Sequence, residues 1–139
     1  MKIKKSLIKD KKGQSLIEFA LVLPILLLVL LGIMEFGRMI MAANVLSQAA
    51  REGARLGAVT NYGADSSGFR MDIEERVNEF ITAANLKGAA TVTILPPDAE
   101  RKITVTIDYD FPMATRFFEL IIPENVVHLK GSCVMYYEG

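Results

Sequence analysis

The sequence predicts an α+β protein, with a long N-terminal transmembrane helix followed by an amphipathic helix packed on a small three-stranded antiparallel sheet. Three observations predict this fold: one uncharged apolar run, one later segment with helical periodicity, and three segments with strand alternation. The 139 residues are 51% hydrophobic, with a mean hydropathy of +0.29. That length and composition are typical of an anchor joined to one small domain.

The apolar run is the predicted membrane span. Residues 19–34 are uncharged and would form about 24 Å of helix. This is slightly shorter than the bilayer core, which is about 30 Å thick and requires roughly 20 residues. Apolar neighbours lengthen the run, so Glu18 at its start and Glu35 and Arg38 at its exit are expected near the two interfaces. Pro24 predicts a kink rather than a break, because neighbouring groups in lipid can satisfy the freed carbonyl.

Charge is distributed unevenly along the chain. Residues 1–13 carry six lysines and one acid, and the remainder carries 10 basic and 15 acidic residues, a formal net charge of −5. A basic segment before a span indicates a cytoplasmic N-terminus and an extracytoplasmic C-terminal domain. An acidic remainder predicts no nucleic-acid partner.

The predicted organisation is a basic leader at 1–13, a transmembrane and extended helix at 14–59, a loop at 60–71, and an extracytoplasmic α+β domain at 72–139. Small residues recur on the extended helix at Ala50, Gly53, Ala54 and Gly57. Such a face lets another element approach closely. The sequence leaves open whether that element is a neighbouring subunit or the chain's own sheet.

The domain is predicted to begin with a helix over residues 72–85, where Asp72 and Glu75 form a capping box and Gly88 provides a stop signal. Strands are predicted over 91–95, 102–111 and 126–137. In the middle strand, one face carries the apolar residues Ile103, Val105, Ile107, Tyr109 and Phe111. The segment between the last two strands contains the apolar stretch 117–122, which could belong to the domain core or to a partner surface.

The domain shows no pattern typical of an enzyme. Among its residues there is no nucleophile–base pair, metal cluster or phosphate loop, so neither catalysis nor a cofactor or metal is predicted. Cys133 lies on the apolar face of the last strand and is predicted to be a core thiol, whereas His128 lies on the opposite face and is predicted to be exposed. Asp108 and Asp110 alternate with apolar residues as a polar sheet face would.

The junction between leader and span, KKGQSLIEF, has an unusual carboxylate. Glu18 stands five residues after Gly13 among apolar neighbours, where a charge is costly unless it is paired. A free amine created by cutting between Gly13 and Gln14 would be such a partner. Glycine suits that position because an extended backbone can enter a tight protease site without a side-chain clash.

This junction resembles the class III signal of type IV pilin-like proteins, and the longer stretch resembles the TadE-like family of tight-adherence (Flp pilus) systems. The motifs that carry the resemblance are EFA at 18–20, LP at 23–24, EFGR at 35–38 and AREGAR at 50–55. Major Flp pilins are much shorter and often have Tyr where this chain has Phe19, so the resemblance disfavours the major-filament role.

The resemblance implies a minor pseudopilin for Flp pilus assembly, adhesion or secretion, cleaved by a prepilin peptidase between Gly13 and Gln14. Glu18 and Phe19 would guide docking of the helix. The implied partners are the peptidase, other pilin-like subunits, Tad assembly proteins and the lipid of a bacterial or archaeal cytoplasmic membrane. The alternative is a single-pass membrane-anchored binding module that no prepilin peptidase processes.

Overall fold

The computed structural model describes residues 11–60, 66–114 and 126–138, and it confirms the predicted α+β fold. Two helices precede three strands along the chain. Their bounds are α1 Lys11–Val59, α2 Ser66–Ala83, β1 Ala90–Leu95, β2 Lys102–Pro112 and β3 Val126–Tyr136.

The chain divides into two compact units, Met1–Met34 and Glu35–Gly139. In the first unit, α1 runs without interruption through Pro24 and its large apolar side chains are exposed, from Leu16 at 69% to Met34 at 65%. Over Gly13–Val59 this helix is long and apolar enough to cross a membrane. A surface of this kind in water would be an exposed apolar patch far larger than soluble proteins carry.

In the second unit, the sheet has the order β1-β2-β3 with both pairs antiparallel. The central strand β2 alternates as predicted, because its five apolar side chains at alternate positions are all at most 2% exposed. The opposite face of β2 carries Thr104, Thr106, Asp108 and Asp110, which are half-buried or exposed. One face of the sheet therefore forms the core.

The core joins this sheet face to α2 and to the C-terminal half of α1. The buried residues recur every three or four positions along the helices and every second position along the strands. The buried side chains from the two helices are Ala42, Leu46, Ala49, Ala50, Ala54, Ala58, Phe69, Ile73, Val77 and Ile81.

Gly131 lies at an inward-facing position of β3, opposite Ile107 of β2. A Cβ atom at Gly131 would lie 2.6 Å from the carbonyl oxygen of Leu46 in α1. The inward face of β3 therefore lacks a side chain at the point where the strand passes directly over the helix backbone. This contact explains why β3 alternates less regularly in sequence than β2.

The predicted start of the second helix is wrong. The helix begins at Ser66, so part of the predicted loop at 60–71 is helical, and Asp72 and Glu75 are exposed residues inside α2 rather than a capping box. The physical reason is Phe69, which is 3% exposed and lies 3.5 Å from the position of a Cβ at Gly57. Burial of this aromatic ring stabilises a first turn whose Ser and Gly residues disfavour helix.

The predicted stop signal is also misplaced. Asn85 ends α2 with a positive φ of 54°, the Asn85 amide donates to the Thr82 carbonyl at 2.9 Å, and the Leu86 amide donates to the Ile81 carbonyl at 3.3 Å. These are the hydrogen bonds of a Schellman motif, in which asparagine can replace glycine. Gly88 instead lies against β2, where its amide donates to the Tyr109 hydroxyl at 2.7 Å.

Candidate functional site

The predicted cleavage junction lies in the first turns of α1. Gly13 is half-buried and helical, two residues after the helix begins at Lys11, while Gln14, Glu18 and Phe19 are exposed. A protease that binds an extended backbone would therefore have to unwind the helix at this junction before it could cut.

Glu18 has a partner in the intact chain. The Gln14 side-chain amide donates to Glu18 Oε1 at 3.2 Å, one helical turn away. Residues four apart on a helix lie on the same face, so an amine at Gln14 would be on the same face of α1 as the carboxylate. The structure thus places Gln14 and Glu18 in contact. From the sequence, a link between them was predicted only because a carboxylate among apolar residues needs a partner.

Glu35 and Arg38, predicted near the membrane exit, hold the end of β2 against α1. Arg38 Nη1 donates to Glu35 Oε2 at 2.6 Å, and the backbone amide of Ala114 donates to Glu35 Oε1 at 2.6 Å. The Arg38 guanidinium also lies 5.0 Å from the centre of the Phe111 ring, a distance within the range of a cation–π contact. Glu35 itself is only 4% exposed.

The contact to Ala114 was missed by sequence reasoning, although a signal for it exists. Glu35 precedes Ala42, Leu46 and Ala49 at spacings of 7, 11 and 14, which place all four on one helix face. Because the other three residues are completely buried, a carboxylate on this face must also meet the domain. A buried carboxylate requires hydrogen-bond donors, and Arg38 and Ala114 provide them.

The small-residue face of α1 packs within the domain. Ala50 and Ala54 are completely buried. A Cβ atom at Gly53 would lie 2.8 Å from Val77 of α2, and one at Gly57 would lie 2.3 Å from Ile103 of β2. Of the two alternatives that the sequence left open, the structure places the chain's own helix and sheet against this face.

Charged residues of the AREGAR segment link α1 to α2. Arg55 donates two hydrogen bonds to Glu52, at 2.7 and 3.0 Å, and Arg76 of α2 donates to the same carboxylate at 3.2 Å and to Glu79 at 2.8 Å. The pKa of Glu52 is lowered from 4.5 to about 2, chiefly by the hydrogen bonds from Arg55 and also by Arg76, while partial burial opposes this shift. The cluster lies beside an open groove of about 360 Å³.

The remaining candidate groups lie on the sheet. His128 is exposed, as predicted, and its Nδ1 lies 2.7 Å from Asp110 Oδ1. Cys133, predicted to be a buried core thiol, packs against the core but is only partly buried. The apolar stretch 117–122 lies outside the described residues. Among the described residues, no group of three or more His, Cys, Asp or Glu side chains could hold a metal ion.

These elements define a class of protein: a single helix able to span a membrane that continues directly into a small α+β domain. Residues 13–55 match the family model described as TadE-like protein. The resemblance inferred from the junction, EFGR and AREGAR motifs is thereby confirmed over this segment, which lies entirely within α1. No curated protein and no solved structure matches the chain significantly.

The TadE-like match covers 43 of the 139 residues, all of them in the N-terminal part of the chain. It includes Gly13, Glu18, Glu35 and Arg38 and ends at Arg55, inside the charged cluster. The matched segment therefore contains the exposed apolar residues 16–34 of α1 and its buried core residues from Ala42 to Ala54.

Proposed function

We propose that the chain is a minor pilin-like (pseudopilin) subunit of a Tad/Flp-type pilus or a related secretion machine, and that a prepilin peptidase cuts it between Gly13 and Gln14. One observation carries the proposal. A lysine-rich leader, Gly13 and Glu18 stand in order at the start of the segment that matches the TadE-like family.

The cut would change the charge at the head of α1. It would remove residues 1–13 with their six lysines and create an amine on Gln14, whose side chain already contacts Glu18. In lipid surroundings an ammonium group is a stronger partner for a carboxylate than a neutral amide, because its hydrogen bond is charge-assisted and a low dielectric strengthens the attraction between opposite charges. Glu18 and Phe19 would then guide docking of the helix onto other subunits.

The leader lysines support an orientation in which the N-terminus is cytoplasmic and the domain lies outside the cytoplasmic membrane. In this arrangement the domain supplies recognition toward other pilin-like subunits and Tad assembly proteins. Membrane lipid surrounds the exposed apolar residues of the span.

The first test is processing of the full chain in cells that contain a prepilin peptidase. Mass spectrometry and N-terminal sequencing of the membrane form should find Gln14 as the first residue. Gly13→Val should retain the leader, because a branched side chain obstructs the extended backbone at the cut. Gly37→Val is the matched control and should be cut normally, since a Cβ atom at Gly37 meets no atom within 4 Å.

The second test separates cleavage from assembly. Glu18→Ala should be cut and inserted but should lose co-purification with other pilin-like subunits. A functional membrane form that still begins at Met1 would contradict the proposal and favour the alternative, a single-pass anchored binding module. For such a module, Glu18→Ala should have no effect on partner binding.

A further inference from the structure

We propose that Gln14 is a modification site in the cut chain, where the new N-terminal glutamine can close into a pyroglutamate ring, and that the Glu18 carboxylate restrains this closure. The inference rests on the proposed function, because only a cut between Gly13 and Gln14 gives Gln14 a free α-amine. It deepens that function by naming a reaction that competes with the pairing of amine and carboxylate.

Ring closure needs no co-reactant besides the cut chain. The neutral α-amine of Gln14 attacks the side-chain amide carbon, so that a new carbon–nitrogen bond closes a five-membered lactam. The bond from that carbon to Nε2 breaks, and one proton moves from the α-nitrogen to the leaving nitrogen, which departs as ammonia. Nothing is oxidised or reduced, and the lactam nitrogen that replaces the amine carries no charge.

The structure places the restraining group on the atom that must leave. Gln14 and Glu18 are both exposed and lie in the first turns of α1. The side-chain amide Nε2 of Gln14 donates to Glu18 Oε1 at 3.2 Å. The nitrogen that departs during ring closure is therefore the one that the carboxylate contacts.

This hydrogen bond draws the amide away from the α-nitrogen. Residue 18 lies about 6 Å further along the helix axis than residue 14, on its C-terminal side. The α-nitrogen of Gln14 lies on the N-terminal side of its own Cα. Because ring closure requires the side chain to fold back toward that nitrogen, the contact with Glu18 has to break first.

The charge of Glu18 provides a second restraint. The N-terminus of a helix carries a partial positive charge that disfavours an ammonium group, and the neutral amine that replaces this group is the nucleophile. A carboxylate one turn along the same face stabilises the ammonium form by a charge-assisted hydrogen bond. Removal of the Glu18 charge therefore frees both the amide and the amine.

Cyclisation would cancel what the cut creates. Since the lactam is neutral, Glu18 would lose its ammonium partner, and a carboxylate in apolar surroundings is costly without one. The head of α1 would then have two chemical states. The open state pairs with Glu18 and is competent for docking, whereas the ring is not.

Mass spectrometry tests the proposal, because ring closure lowers the mass by one ammonia and blocks N-terminal sequencing. The full chain is produced with a prepilin peptidase, purified in detergent and incubated at neutral pH. Glu18→Gln, which keeps the size of the side chain but not its charge, is compared with the wild type. Closure should be at least about tenfold faster in Glu18→Gln, since tenfold corresponds to about 1.4 kcal/mol and a hydrogen bond between charged groups contributes at least this much.

Three controls isolate the effect of Glu18. Gln14→Ala in the Glu18→Gln chain should lose no ammonia, because it has no side-chain amide. Glu100→Gln removes a distant exposed carboxylate that pairs with Lys102, and its N-terminus should close at the wild-type rate. In guanidinium chloride, where no helix positions residue 18, the wild type and Glu18→Gln should close at equal rates.

Equal rates of closure in the folded wild type and in Glu18→Gln would overturn the inference, whether both chains close quickly or neither closes. That result would leave the proposed function intact, because both chains would still begin at residue 14. A chain that begins at Met1 would contradict the proposed function and this inference together. The mass of the leader distinguishes the two failures.

Discussion

Glu35 shows how one buried carboxylate can connect two elements that are far apart in sequence. It accepts a backbone hydrogen bond from Ala114, 79 residues later, and a charge-assisted bond from Arg38. Such bonds contribute more to stability than neutral ones, and a buried donor left without its acceptor incurs the full cost of desolvation. This residue therefore fixes where the end of β2 meets α1.

We predict that Glu35→Ala lowers the free energy of unfolding by about 2–3 kcal/mol, because the Ala114 amide and the half-buried Arg38 both lose their acceptor. Urea unfolding of the full chain in detergent micelles, followed by near-ultraviolet circular dichroism, measures the change. Glu100→Ala is the control. It removes an exposed ion pair with Lys102 and should change stability by less than about 1 kcal/mol. Equal effects would refute the role given to Glu35.

Glu52 predicts a dependence of stability on pH. Its pKa is about 2 in the folded chain and 4.5 without its partners, so the unfolded chain binds a proton more readily. Its stabilising effect is therefore complete above about pH 4.5 and is lost as the pH falls from 4.5 toward 2. Unfolding measured between pH 6 and pH 2 should show a decline that is less steep in Glu52→Gln. The same slope in both chains would exclude Glu52 as its origin.

At the scale of elements, the buried positions were predicted most accurately in β2, where a simple alternation of apolar and polar residues decides the structure. The alternation of β2 identified all five buried residues of that strand, since a two-residue period with one apolar face has a single register. The start of α2 was wrong because burial of Phe69 outweighs the local preference of its Ser- and Gly-rich first turn. Its predicted end at residue 85 lies close to the observed last residue, Ala83, but the stop signal is Asn85 in a left-handed conformation and not Gly88.

The candidate site was predictable only in part, for a similar reason. Gly13, Glu18, Glu35 and Arg38 were recognisable from local spacing and from the family resemblance. The partners of Glu35 and Glu52 across the fold, Ala114 and Arg76, depend on how distant segments pack. The periodicity of α1 indicates that Glu35 faces the domain, but no periodicity within one element identifies which distant residue it meets.

The crossing of β3 over α1 yields a prediction for Gly131. Gly131→Ala should lower the free energy of unfolding by about 1–3 kcal/mol, because its Cβ would lie 2.6 Å from a backbone oxygen of Leu46 that cannot rotate away. Gly37→Ala is the matched control. Its Cβ meets no atom within 4 Å, and alanine favours helix by about 1 kcal/mol. If Gly131→Ala and the wild type unfolded at the same denaturant concentration, β3 and α1 would not be in tight contact at this position.

For the whole molecule, the decisive property is the exposed apolar surface of α1 between Leu16 and Met34. We predict that Leu27→Lys, near the middle of this surface, reduces membrane insertion, because a central lysine costs about 2.5–3.5 kcal/mol. Alkaline extraction of membranes followed by immunoblotting measures the fraction that remains inserted. Gln48→Lys, in the exposed polar part of α1, should leave that fraction unchanged. Equal retention of both variants would argue against a span centred near residue 27.

The unbroken backbone of α1 also bears on how this protein can be shed from a cell. The same helix carries the exposed apolar residues before Met34 and the buried core residues from Ala42 onward, with no loop between them. A protease that binds an extended backbone would have to unwind the helix beside the core before it could cut between residues 34 and 42. Release of the domain by cleavage there is therefore expected to require local unfolding of α1.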